Sequence, residues 1–212
     1  MRVMTVVAFL LAGLAGAPAF AETEARDVDG FERVMFALPG KLLLSQGDGF
    51  EVVIEADPED LERIETVQRG DELSIGWDSG MFGMWNGGPE GPIEVRITLP
   101  ELRGLEIAGS GDVEAGEWLA ETLEVEVNGS GSVRFATLAV EELALEISGS
   151  GDADVGELDA AALRVEIAGS GNVELSGAAD RQEIEVMGSG DVDADDLEGA
   201  AVEVDVMGSG DV

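Results

Sequence analysis

The triplet Gly-Ser-Gly begins at Gly109, Gly129, Gly149, Gly169, Gly188 and Gly208, at spacings of 20, 20, 20, 19 and 20 residues. Ahead of each triplet runs an alternating segment such as Leu123-Glu124-Val125-Glu126-Val127. Two positions before the first glycine stand Ile107, Val127, Ile147, Ile167, Val186 and Val206; four before it stand Leu105, Val125, Leu145, Val165, Ile184 and Val204. Period-two alternation rich in β-branched residues predicts strands with one buried face. A second short strand is marked by Val113, Val133, Ala153, Val173, Val192 and Val212, and a far-corner apolar column by Leu119, Leu138, Leu158 and Leu197.

Twenty residues at about 3.3 Å each make roughly 66 Å of chain, too long for one strand. The chain must turn corners and return one step along an axis, which is a rung of a parallel β-helix. The expected fold is therefore all-β, a parallel solenoid of about six rungs, right-handed by analogy with parallel crossovers. One rung buries about six apolar side chains for roughly 9–18 kcal/mol, whereas ordering about 20 residues costs roughly 20–40 kcal/mol. Rungs therefore form together. The glycines Gly109, Gly111, Gly129, Gly131, Gly149, Gly151, Gly169, Gly171, Gly188, Gly190, Gly208 and Gly210 are read as structural turns, tight corners whose stacking leaves no room for β-carbons. Asp112, Asp152, Asn172, Asp191 and Asp211, with Ser132 as the exception, follow the triplets and are placed to bond the turn backbone. A glycine-rich calcium roll is the rival reading, but it needs a nine-residue period.

Composition narrows the chemistry. Acids number 46 against 11 cations, for a formal charge of -35, and only Lys41 is a lysine. Such a surface repels nucleic acid and anionic lipid. Histidine and cysteine are absent, which removes disulfides, imidazole or thiolate metal sites, and Ser-His or Cys-His catalysis. Residues 1–21 read as a signal peptide: Arg2 precedes an apolar run from Val3 to Leu14, and Ala19-Phe20-Ala21 offers small residues to a peptidase. The run is short for a span of about 20 residues, so no transmembrane segment is expected after cleavage. The protein is then exported, either periplasmic or at the cell surface.

Residues 22–26 read as a short tail and 27–212 as a single domain, with 27–100 starting and capping the solenoid formed by 101–212. Strands are expected at Phe31 to Phe36, Lys41 to Gln46, Phe50 to Ala56, Glu72 to Trp77 and Ile93 to Leu99, with Gly47-Asp48-Gly49 as a hairpin turn. Asp57-Pro58-Glu59-Asp60-Leu61 carries a cap, an early proline and acids, the signature of a helix start. Met81 to Pro89 reads as a plug over one end or as a contact patch, and Trp118 as packing rather than a sugar platform.

Several of these motifs carry a resemblance. The order is Gly30-Phe31 with Val34, then Leu42 with Ser45-Gln46-Gly47, then Asp71 to Ile75, then Ile97 to Leu102 running into Gly-Ser-Gly-Asp-Val. The chain resembles the bacterial autotransporter-adhesin head GIN domain family across nearly its whole mature length. The resemblance implies an exported β-solenoid and, through the family's name, an adhesin-like role.

One column carries unusual charge. Glu106, Glu126, Glu146, Glu166, Glu185 and Asp205 stand three positions before the triplets. Stacked at about 4.8 Å, neighbours repel by roughly 0.9 kcal/mol in water before screening. Either this is a solvated acidic face, or divalent cations such as Ca2+ bridge the carboxylates weakly; no other cofactor is expected. The functional expectation is a non-enzymatic binding or structural module of the cell envelope, with an envelope or extracellular ligand as partner. A polysaccharide lyase or hydrolase on the same scaffold is the alternative. The C-terminal rung leaves Val204, Val206 and Val212 open, so it frays, belongs to a longer chain, or self-associates weakly end to end.

Overall fold

The computed structural model describes residues 21–78 and 88–212. The alternating repeats form β8 (Gly104–Gly109), β9 (Asp112–Gly129), β10 (Ser132–Gly149), β11 (Asp152–Gly169) and β12 (Asn172–Gly188). A last coil is split into β13 (Asp191–Glu198) and β14 (Ala201–Gly208). Each strand pairs in parallel with its copy one coil away, so Val133 stands between Val113 and Ala153, and Ile147 between Val127 and Ile167. The solenoid has about five turns rather than six. Six triplets act as fence posts: they bound five complete coils, and β8 supplies only the last side of an incomplete one.

Within β9, burial alternates except at two exposed doublets, Gly116–Glu117 and Glu121–Thr122. Those doublets and the triplet divide a rung into three sides, 112–115, 118–120 and 123–129. The interior is filled by stacked columns such as Val113, Val133, Ala153 and Val173, each at most 2% exposed. The far-corner column needs one correction. Trp118, not Leu119, stands opposite Leu138 and is buried, while Leu119 stands opposite Ala139 and is 67% exposed. The two-residue corner sets the phase, and it turns the first residue after it inward. The 19-residue spacing also has a local cause. β12 lacks one corner residue, the register slips between Val155 and Leu158, and Gly177 at φ 112° stands where Leu158 stands in the previous rung.

The N-terminal strands are β1 (Glu22–Arg26), β2 (Arg33–Ala37), β3 (Lys41–Gln46), β4 (Glu51–Ala56), β5 (Ile64–Arg69), β6 (Glu72–Trp77) and β7 (Glu94–Leu99), with helix α1 (Pro58–Leu61). β2 lies parallel to β8 and β3 to β9, with Val34 opposite Leu105 and Leu42 opposite Val113. β6 and β7 form the next layer down, parallel to β2 and β3. Below them the direction reverses: β4 is antiparallel to β7, β5 is antiparallel to β6, and β1 closes the edge antiparallel to β4. From β1 at the edge, the chain crosses to the middle at β2 and β3, returns to the end through β4 and β5, and then fills the gap with β6 and β7.

Two local expectations change. Residues 22–26 are a strand, not a tail. Gly47-Asp48-Gly49 closes no hairpin, because β7 lies between β3 and β4. The tight hairpin is β5–β6, where Arg69 faces Glu72 and Gly70 adopts φ 67°, as a two-residue turn requires. The helix forms as its signature says, with the Asp57 side chain accepting from the Glu59 N–H at 3.1 Å. Most of the Met81 to Pro89 segment lies outside the described residues.

Candidate functional site: the outward ladders and the step at Leu119

Parallel stacking in register brings outward positions on the strand before each triplet into a ladder. Glu106, Glu126, Glu146, Glu166, Glu185 and Asp205 all stand in one, in register from rung to rung. Met35 of β2 precedes Glu106 in the same line. Neutralisation is partial: Glu106 accepts from Asn128 Nδ2 at 3.3 Å and Glu166 from Arg164 Nε at 2.7 Å. Arg33 donates to Glu124 at 2.8 Å; that bond raises the guanidinium pKa above its ordinary value, against partial burial, with Glu126 adding to the field. Among the described residues, no group of three or more acids gathers as the ligands of an ion would.

The line that follows the triplets is built differently. Asp112, Ser132, Asp152, Asn172 and Asp191 stand in register, acids alternating with neutral donors. Ser132 Oγ donates to Asp112 Oδ1 at 2.6 Å, and Asn172 Nδ2 donates to Asp152 Oδ1 at 2.9 Å. These side chains therefore reach the neighbouring rung rather than their own turn. Beside them, Lys41 pairs with Glu114 at 2.8 Å and Arg134 with Asp154. The two lines floor a shallow groove of about 610 Å³.

The corners are rigid for a backbone reason. Gly149 sits at φ 131°, and a β-carbon there would run into the carbonyl oxygen of Gly129. Ser150 N donates to that same carbonyl at 2.8 Å, so the corner is both crowded and bonded. Gly151 is crowded likewise by the Gly131 carbonyl and Val127.

Sequence reasoning missed one residue. Gln46, the last of β3, donates from Nε2 to the carbonyls of Leu119 at 2.8 Å and Pro100 at 2.9 Å, and its Oε1 accepts from Leu119 N at 2.9 Å. One amide side chain thus saturates the backbone of Leu119 as a neighbouring strand would. It does so where the third side of the solenoid begins, since residues 100–103 cross directly from β7 to β8. The sequence marks Gln46 only as part of the Ser45-Gln46-Gly47 motif and not its role, because the contact spans 73 positions. Trp118 lies at the same step, buried, with an indole N–H that has no acceptor among the described residues.

Known structures share this architecture. The chain is similar to a putative lipid binding protein from Parabacteroides distasonis, 20% identical over 92% of this chain and 97% of that one, with a TM-score of 0.79. It is similar also to a putative adhesin from Bacteroides fragilis, 18% identical over 92% and 96%, with a TM-score of 0.74. At such identities the likeness shows the fold. The search of curated proteins gave no match. No helix among the described residues is long and apolar enough to cross a membrane. The family comparison goes further, because residues 30–212 match the model described as "Putative auto-transporter adhesin, head GIN domain": the chain belongs to the head GIN domain family.

Proposed function

We propose that the protein is an exported, non-enzymatic module of the cell envelope that binds a partner, as an adhesin does, through the outside of its solenoid. The in-register ladder carries this reading. It repeats one side-chain contact along a line, as in the six acids from Glu106 to Asp205, and suits attachment to an extended partner. Catalysis instead needs an acid, a base and a charge stabiliser converging on one bond. Here Glu124, Glu146 and Glu183 lie on exposed ridges. Family membership and the likeness to a protein described as a putative adhesin support the binding role.

Export rests on the leader-like residues 1–21. β1 begins at Glu22, so cleavage after Ala21 leaves the first strand whole. The mature protein is expected to begin at Glu22, which intact-mass measurement reads directly, and to leave the cytoplasm on fractionation. An antibody against the rungs, applied to intact and to permeabilised cells, separates surface display from a periplasmic location. A cytoplasmic protein that retains residues 1–21 would refute export. Turnover of a panel of neutral and acidic polysaccharides would refute the non-enzymatic reading.

A further inference from the structure

The surface of the rod has one abrupt change of cross-section, the step where the third side begins. Two adjoining hollows meet there, of about 640 and 530 Å³, and share Gln46, Pro100 and Leu119. Leu119, at 67%, is the most exposed large apolar side chain among the described residues. The walls carry Asp48, Glu101, Glu117, Glu121, Glu141 and Asp159, and no lysine or arginine. Of these acids, only Glu101 has an ion pair among the described residues, with Arg103, whose charge also acts on Glu121.

Each observation excludes a class of occupant. The excess of acids over cations repels anionic lipid and acidic sugars. A bare cation leaves Leu119 in water, and the walls contain no group of three acids gathered as ion ligands. Strand addition is blocked, because Gln46 already holds both the N–H and the C=O of Leu119. What fits is a ligand that binds by its side chains, apolar over Leu119 and cationic toward the surrounding acids.

We propose that the step docks a basic segment of another polypeptide, with one apolar side chain seated on Leu119 between flanking lysines or arginines. The proposal rests on the binding-module reading and names the partner's chemistry.

The test uses the mature full-length chain and two short synthetic peptides of equal charge, one alternating lysine with leucine and one with serine in place of each leucine. Titration calorimetry at physiological salt should show the leucine peptide binding about tenfold tighter or more, since burying a leucine is worth at least one decade in affinity. Leu119→Ser should abolish that preference and leave the serine peptide unchanged. The paired change Glu117→Gln with Glu121→Gln should weaken both peptides. Leu119 is exposed, so its variant should melt as the wild type does. Equal affinities in the wild type, or a preference that survives Leu119→Ser, would overturn the proposal. A preference carried by Leu119 in a protein found to be cytoplasmic or enzymatic would leave the step standing and refute the broader reading instead.

Discussion

The first and last described layers of this solenoid differ in how they bury the apolar interior. A stack of parallel rungs ends in unpaired backbone groups and an open apolar interior. At the N-terminal end the chain reverses: β4, α1 and β5 cross the opening against the direction of every rung above, and β1 covers the last edge. Leu61 and Ile64 close the interior, and Arg26 Nη2 reaches the Ile64 carbonyl at 3.4 Å from the opposite side. Buried Asp60 accepts from the Glu90 N–H at 2.8 Å and pairs with Arg63, whose guanidinium lies over Trp77. At the last rung of the described residues nothing comparable happens. Val204 and Val206 remain 45% and 38% exposed, although Ile184 and Val186, one rung below in the same columns, are 2% and 0% exposed. The lesson is that the repeat propagates a core, whereas closing it at the N-terminal end falls to a different kind of sequence. Finishing takes irregular sequence and a change of strand direction.

The same substitution should therefore cost different amounts at different heights. The largest contrast is expected for the corner glycines. Gly149→Ala places a β-carbon on the Gly129 carbonyl at a positive φ, a combination of backbone strain and overpacking worth roughly 2–6 kcal/mol. Gly208→Ala meets the Gly188 carbonyl in the same way but should cost under about 1 kcal/mol globally, because the rung it belongs to, with Val204 and Val206 half-exposed, couples little buried core to the rest. Urea unfolding of both variants reads the difference, and equal losses would show that the terminal rung is as integral as the middle ones.

A smaller contrast separates Ile184→Ala from Val204→Ala. The first empties a packed site and should cost about 2–5 kcal/mol; the second removes a half-exposed side chain and should cost under about 1 kcal/mol. Thermal melts of the two single variants check it, with hydrogen exchange at 201–208 expected to outpace 143–149. The smallest effect belongs to the acidic ladder. Glu146→Gln relieves two like-charged neighbours and should stabilise by up to about 1 kcal/mol, whereas Asp205→Asn relieves one, Glu185, and should give about half of that. Both gains should vanish in molar salt, which a melt series in sodium chloride would show.

Most of the rod was legible because its physics is local and repeated. Alternation marks the inward columns, and β3 and β6 begin and end where their sequence says. The corner phase was less legible: with Trp118 and Leu119 adjacent and both apolar, only the number of corner residues decides which one turns inward. β5 was missed because Ile64 to Arg69 alternates poorly, with one buried residue among six. The pairing order of the N-terminal strands lay beyond reach because it depends on contacts between distant segments. β7 inserts between β3 and β4, and nothing inside any of the three announces it. The acidic ladder was legible as a line, yet its relief by Asn128 and Arg164 required the folded neighbours.

The alternation of Asp112, Ser132, Asp152 and Asn172 bears on how such a rod can change length over evolutionary time. Excising one coil, for example residues 132–151, would bring Asp112 against Asp152 and delete Ser132, the donor that Asp112 now uses, while Asp152 keeps Asn172. Excising two coils would set Asp112 against Asn172 and leave a donor in place. On this side of the molecule the natural unit of gene duplication or loss is therefore the coil pair. Lineages that lengthen or shorten the rod should do so in even steps, or acquire a compensating serine or asparagine at the new junction.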